Sequence, residues 1–357
     1  MLLRLERRPA ASRVMLYASP LLAVVLSMMA GALLFALLGR DPWVALRVLF
    51  LSPLQSRDSL AELALKATPL ALCAVGIAVA CRANVWNIGA EGQFTMGAIA
   101  GGGVALAAGD GGGALLLPLM LLAGVAGGMA WAAIPAFLRT RFNAHEILTT
   151  LMLSYVAAQV LGWLVHGPWQ DPDGFSFPQT RQFPPNALLP ALAPGTRLHV
   201  GALFALLAVA AATVLLGRTM AGYRLQVVGL APAAARYAGF SGNGAVWLGL
   251  LVSGGLAGLA GVCEAAGPIG QLTPVISPGY GFAAIIVAFL GRLHPVGALL
   301  ASLLMALLYL GGEGLQITLQ LPLAATGVMQ GMLLFFLLGV DVLILYRVRL
   351  DRGAVHA

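Results

Sequence analysis

Residues 14–39 form a run of twenty-six positions without one charged side chain. A bilayer's hydrocarbon core is about 30 Å thick and takes roughly 20 helical residues to cross. It holds no water to bond a free amide, so only helices or closed barrels span it. The alternating pattern of short barrel strands is missing. Further apolar runs follow along the chain, and only 9% of its residues are charged, against about 25% in soluble domains. The expected fold class is an all-α polytopic membrane protein, a single integral membrane domain over residues 1–357.

Taken in order, apolar stretches cover 14–39, about 60–81, 94–108, 114–138, 146–165, 198–216, 245–267, 280–290, 296–310 and 321–346. About ten transmembrane helices are expected, in a range of 8–10, with 280–290 counted as short or tilted. Residues 40–66, with Pro42, Trp43, Pro53 and Arg57, read as an interfacial segment, and 313–320 as a polar interruption. Residues 167–197 contain seven prolines and form no single helix, so a structured loop outside the membrane is expected there. With the N-terminus cytoplasmic, fourteen arginines fall inside: Arg4, Arg7, Arg8, Arg13, Arg82, Arg139, Arg141, Arg218, Arg224, Arg236, Arg292, Arg347, Arg349 and Arg352. Five fall outside: Arg40, Arg47, Arg57, Arg181 and Arg197. The excess of inside charge places both termini in the cytoplasm.

Two stretches are wrong for ordinary spans. Residues 82–97, RANVWNIGAEGQFTMG, crowd Arg82, Asn84, Trp86, Asn87, Gly89, Glu91, Gly92 and Gln93 between apolar runs. Charge at membrane depth is tolerated only where it faces protein or a cavity, so broken or re-entrant backbone is expected. Asn87 is a candidate cap for the next helix, with Glu91 in its first turns. The second break runs over 279–295, with Gly279, Tyr280, Gly281 and Phe282 followed by GRLHP, which ends in Pro295. Paired breaks in the two halves point to a translocation path. The alternative is that the polar groups satisfy one another and hold the break in shape. The other carboxylates within apolar segments, Glu146, Glu264, Glu313 and Asp341, suit interfacial positions or proton coupling. Gly97/Gly101, Gly124/Gly128, Gly254/Gly258 and Gly327/Gly331 have GxxxG spacing, a signal of helix packing.

Several chemistries have no support. Lys66 is the one lysine, and neither a preceding glycine nor a following Ser or Thr makes it a P-loop. His145-Glu146 begins like a zinc-protease motif, but Thr149 stands where the second histidine belongs. No Gly-x-Ser-x-Gly elbow occurs. Cys73, Cys81 and Cys263 lie in apolar runs without CxxC spacing, so no metal site or cofactor is implied. The net charge of +7 is spread over short loops and speaks for anionic lipid contact, not nucleic acid. In the basic segment 218–239, Pro232 suits a helix start and Gly239 its end. The short helix between them is either a docking element for a soluble partner or a solvated loop on lipid headgroups.

The motif CRANVWNIGAEGQFTMGAIAGGGVAL resembles the signature of permease subunits in bacterial ABC importers for nucleosides and simple sugars. These subunits belong to the family that includes ribose and branched-chain amino acid permeases. NAHEILTTLMLSYVA, FPQT, GYRLQVVGLAPAAARYAGFS, SGGLAGLAGVCEAAG, GYGFAAIIVAFLGRLHPVGALL and VMQGMLLFFLLGVDVL continue the resemblance from about Leu60 onward. The sequence departs from the usual pattern at Ala231, commonly Asn, and at Asn84-Val85-Trp86, more often Gly-Leu-Phe. The resemblance implies a translocation subunit without its own ATP site, in a bacterial inner membrane. Its implied partners are a cytoplasmic ATPase, a second permease subunit (the same or different) and an extracytoplasmic solute-binding protein. It makes Tyr223, Arg224, Gly229, Pro232, Ala235, Arg236, Tyr237 and Gly239 the ATPase-docking loop, and 167–197 a contact for the binding protein. The competing expectations are an ion-gradient transporter, a permease for ribose-type sugars or branched-chain amino acids, and a membrane-embedded enzyme or scaffold.

Overall fold

The computed structural model describes residues 2–7, 13–322 and 324–351; Arg8 and Arg352, counted above, lie outside the described residues. The chain runs β1 (Leu2–Arg7), α1 (Arg13–Leu37), α2 (Pro42–Phe50), α3 (Arg57–Arg82), α4 (Ala90–Ala108), α5 (Leu116–Phe142) and α6 (Glu146–His166). It continues through α7 (Gly201–Arg218), α8 (Met220–Leu230), α9 (Pro232–Tyr237), α10 (Gly242–Glu264), α11 (Tyr280–Leu290), α12 (Pro295–Leu319), α13 (Ala324–Leu345) and β2 (Tyr346–Asp351). Among the described residues eight helices are long and apolar enough to cross a membrane: α1, α3, α5, α6, α7, α10, α12 and α13. The protein is a multi-pass, essentially all-helical membrane protein. With α4 and the eleven-residue α11, ten helices stand where about ten crossings were expected. At ~1.5 Å per residue, α11 is about 16 Å long and reaches halfway through the hydrocarbon core.

The helices form two compact units, Met1–Gln55 with Leu307–Ala357, and Ser56–Ala306. In the first, α1 and α13 run antiparallel. The Ser19 hydroxyl donates to Asp341 Oδ1 at 3.1 Å, and Gly31 meets Met329 further along. The strands β1 and β2 pair antiparallel from Leu2↔Asp351 to Arg7↔Tyr346, which puts both chain ends on one side. This pair was not anticipated; its signal is the period-two alternation of LLRLER and YRVRLD. Residues 40–66 also differ from the single interfacial segment expected. They divide into α2, whose N-terminus is capped by Asp41, and the first turns of α3, capped by Ser56. The polar interruption expected at 313–320 is helical through Leu319. Gly311 and Gly312 let Leu49 and Thr326 approach closely, and Leu315 is buried, so this stretch has a packed face.

In the second unit α3 is innermost. Every residue from Ala67 to Ala80 is buried, as expected of a helix apolar all round. By contrast α5, α6 and α7 leave Leu122, Trp163 and Leu207 exposed, side chains suited to lipid contact. Apolar burial drives little helix association in lipid, so close van der Waals packing between small residues does the work. Here α4, α5 and α10 converge on glycine. A Cβ on Gly258 would overlap the backbone of Gly124 and Gly128, and one on Gly97 would overlap Gly258 itself. Three of the four GxxxG pairs thus take part in close helix packing within this unit. Gly327 and Gly331 meet nothing within 4 Å.

The proline-rich segment after α6 is ordered by backbone bonds to the stretch after α10. Thr180 N–H donates to Leu272 O at 3.0 Å, Phe183 N–H to Gly270 O at 2.8 Å and Leu189 N–H to Ala266 O at 2.9 Å. His199 closes this strap. Its Nδ1 accepts the Gly201 N–H at 3.0 Å, and burial pushes its imidazole down to about 4.

If the glycine contact sets the bundle, Gly258→Leu separates three backbones and lowers stability by about 1–3 kcal/mol or more. Thermal unfolding in detergent measures this, with Gly331→Leu as the control expected to leave the midpoint unchanged.

Candidate functional site

The first break is shorter than the motif that announced it. Helix α3 ends at Arg82 and α4 begins at Ala90, so Glu91, Gly92 and Gln93 are already helical. The turn between them needs a left-handed residue, and Asn84 supplies it with φ 54°. Its Oδ1 accepts from the Trp86 indole at 3.2 Å. Asn87 is only 1% exposed and does not cap α4; Gly89 is the N-cap. Instead Asn87 and Gln93 form a reciprocal amide pair, Nδ2 to Oε1 at 2.7 Å and Nε2 to Oδ1 at 3.1 Å. Asn87 Nδ2 also donates to Ser253 Oγ at 2.8 Å, and its Oδ1 accepts the Gly89 N–H at 3.1 Å.

One face of α6 receives the rest of the break. Glu146, Thr150 and Ser154, spaced by four, accept the backbone amides of Trp86 at 3.5 Å, Ile88 at 3.3 Å and Gly92 at 3.3 Å. Glu146 is also ion-paired with Arg139, which balances its charge near the membrane end. The absence of side chains at Gly89 and Gly92 lets α4 sit directly on Thr150 and Ser154. The sequence reading missed Thr150, Ser154 and Ser253. The signal for Thr150 and Ser154 was their spacing of four from Glu146 along α6; Ser253 stands on α10, where no such spacing marks it.

The two breaks meet at Glu91. Helix α11 starts at Tyr280, and its N-cap Gly279 offers no side-chain bond. A helix start leaves four amides without partners. Ser277 Oγ accepts two of them, from Gly279 at 3.1 Å and Tyr280 at 2.9 Å. Glu91 takes a third, its Oε2 accepting the Gly281 N–H at 2.7 Å, and the carboxylate lies close to the Phe282 N–H and the Ser277 hydroxyl. The carboxylate thus faces the positive end of the α11 dipole. A Cβ on Gly281 would overlap the backbone of Ala90 and Glu91, so this glycine permits the approach. Phe94 and Tyr280 lie beside the contact, ring centroids 6.3 Å apart.

The other end of α11 is tied to the same break. Trp86 stacks on Phe289 at 5.5 Å, and Arg82 Nη2 donates to Leu293 O at 3.3 Å. Pro295 then opens α12. All the residues singled out in the two breaks therefore fall in one contiguous region, joined along the length of α11.

Next to it lies the basic segment. Thr219 caps α8 by accepting the Gly222 N–H at 3.1 Å. Pro232 opens α9 at its first position, and Gly239 follows in the left-handed region with φ 77°. Arg224 lies over the Phe240 ring at 5.6 Å, and Tyr223 meets the same ring edge-on. Ala235 is buried, whereas Tyr237 is 97% exposed and Leu230 78% exposed; Arg236 is exposed beside them. Gly229 packs against the Arg82 carbonyl, so α8 touches the end of α3 where the break begins.

Removing Asn87 strands the Gln93 amide and the Ser253 hydroxyl in the interior. Asn87→Ala is expected to cost about 1–3 kcal/mol, and the Asn87→Ala/Gln93→Ala double variant less than the sum of the singles. Unfolding midpoints of the three variants check this.

The chain matches the model of the family described as branched-chain amino acid transport system / permease component over residues 59–338. It is similar to the glucose ABC transporter permease protein TsgB13 of Haloferax volcanii, 36% identical over 97% of this chain and 93% of the relative. It is also similar to the nucleoside ABC transporter permease protein NupB of Lactococcus lactis, 32% identical over 83% of this chain and 84% of the relative. The guanosine ABC transporter permease protein NupP of Bacillus subtilis is 30% identical over 89% of this chain and 91% of the relative. No solved structure matches. On this coverage the chain belongs to the branched-chain amino acid transport system permease family and is the permease component of an ABC importer, a class without an ATPase domain of its own.

Proposed function

We propose that this permease component carries nucleosides or a related sugar-like solute inward, driven by ATP hydrolysis on a partner chain. The substrate class is supported by the relatives, whose names give glucose, nucleosides and guanosine. A nucleoside contains a ribose, so a polyhydroxylated ring is the chemistry these solutes share. A second permease subunit completes the pathway, and an extracytoplasmic binding protein delivers the solute to the strap formed by residues 167–197. Both termini are cytoplasmic in this proposal. The fourteen-to-five arginine distribution supports that side, and the β1–β2 pairing supports a common side for the two ends. Because one relative is archaeal, the membrane is assigned as a prokaryotic cell membrane and no more narrowly.

The observation that carries the mechanism is the contact of Gly229 with Arg82, at the foot of a connected path. The ATPase docks on the exposed surface of α8 and α9 formed by Tyr223, Leu230, Arg236 and Tyr237. Movement of α8 bears on the end of α3. From there Arg82 and Trp86 act on the C-terminal end of α11, and Glu91 holds its N-terminal end. Solute passes along a surface that this half-helix and the first break shape together, with Asn87 and Gln93 keeping the break in form.

Co-expression with its ATPase, second permease and binding protein tests both parts. Reconstituted vesicles should accumulate a radiolabelled nucleoside or sugar only with ATP and binding protein present; uptake on an ion gradient with this chain alone contradicts the proposal. Arg236→Glu should abolish ATPase co-purification while the chain is still made in normal amount. Normal co-purification and uptake in that variant would refute the docking assignment.

A further inference from the structure

A cleft of about 360 Å³ opens where the ends of α3, α8 and α11 meet, lined by Arg82, Asn84, Gln226, Leu230, Arg292 and Leu293 among others, so that its rim shares Leu230 with the proposed docking surface. Among the described residues no carboxylate lines it, while two guanidinium groups and two carboxamides do. Arg82 is held in place through its Nη2 bond to Leu293 O, yet its Nε is buried with no hydrogen-bond partner among the described residues. The Asn84 Oδ1 is occupied by the Trp86 indole, which leaves its amide nitrogen as the donor it offers. Gln226 is exposed at the rim.

The backbone around the cleft is unusual in the same place. Asn84 has φ 54°, Arg292 φ 59° and Leu293 φ 52°. Left-handed backbone disfavours residues with a Cβ, and a leucine more than an asparagine. Such conformations persist where the surroundings over-determine them, and they cluster at ligand clamps and switches. Here they shape the two guanidinium-bearing segments, which the Arg82 Nη2 to Leu293 O bond joins beside one opening.

We propose that this cleft is a binding site for a phosphate-bearing anion. Guanidinium groups form charge-assisted hydrogen bonds with phosphate oxygens, and the carboxamides supply further donors. The opening lies at the ends of apolar helices, so the phosphate comes either from an anionic lipid headgroup or from free phosphate in solution. An anion held there links the foot of the first break, the turn after α11 and α8.

The full-length chain in phosphatidylcholine nanodiscs tests this, titrated calorimetrically with inorganic phosphate and, separately, with short-chain phosphatidylglycerol. Saturable binding of at least one probe is expected. Binding of phosphatidylglycerol alone assigns a lipid headgroup, and binding of inorganic phosphate assigns a soluble phosphate. Gln226→Glu changes an exposed residue and sets a carboxylate at the rim; it should weaken binding at least about tenfold, as should Arg82→Gln with Arg292→Gln. Arg57→Gln, at the opposite end of α3, should leave affinity unchanged. Failure of both probes to bind would overturn the site, as would unchanged affinity in Gln226→Glu or an equal loss in Arg57→Gln.

Discussion

A single carboxylate, Glu91, reaches across to the orphan amides at the start of α11, accepting the Gly281 N–H at 2.7 Å with the Phe282 N–H beside it. In water those amides would find solvent. At membrane depth they have only protein, and each one left bare costs several kcal/mol. A half-helix that begins inside the bundle therefore needs an acceptor from another element, and the Ser277 hydroxyl alone covers only Gly279 and Tyr280. The rest of the unit follows from placing Glu91 there. The break before α4 must turn it inward, and the α6 face of Glu146, Thr150 and Ser154 must hold that break. Gly281 must allow the backbones to touch.

Small residues make this possible. Ala, Gly and Ser along α3, α4 and α10 bring backbones close enough for Asn87 to reach both Gln93 and Ser253. The same packing buries α3 on all sides, while the large apolar side chains face outward. Larger residues at Gly97, Gly128 or Gly258 would push the polar groups out of bonding distance, so packing and polar satisfaction are one constraint here.

Much of this was legible in the sequence. Charge-free runs located the spans, because nothing but a helix spans lipid with so few polar groups. The crowding of Asn84, Asn87, Glu91 and Gln93 marked the first break, and Gly279 to Phe282 the second. Pro232 and Gly239 bounded α9 correctly. What was not legible was partnership. Nothing in the spacing of Glu91 and Gly281 announces that they touch, 190 positions apart. Asn87 looked like a cap because Asn is good at that role, but a buried partner with matching donors won. The helix through Leu319 was hidden because local polarity outweighed a packed face set by distant residues. The α8 helix, ahead of the one that Pro232 signals, carries no proline or charge pattern of its own.

In the proposed assembly, with the ATPase on a separate chain, motion travels from the proposed docking surface to the proposed pathway. Helix α11 is tied at both ends to the first break, which gives that motion a rigid element to follow. The most direct measurement is ATP-dependent uptake by the reconstituted importer carrying Glu91→Ala, with ATPase co-purification measured in parallel. Uptake reduced at least about tenfold with the ATPase still bound is predicted, because α11 loses its N-terminal anchor while the docking surface is untouched. Uptake at the wild-type level would contradict the account.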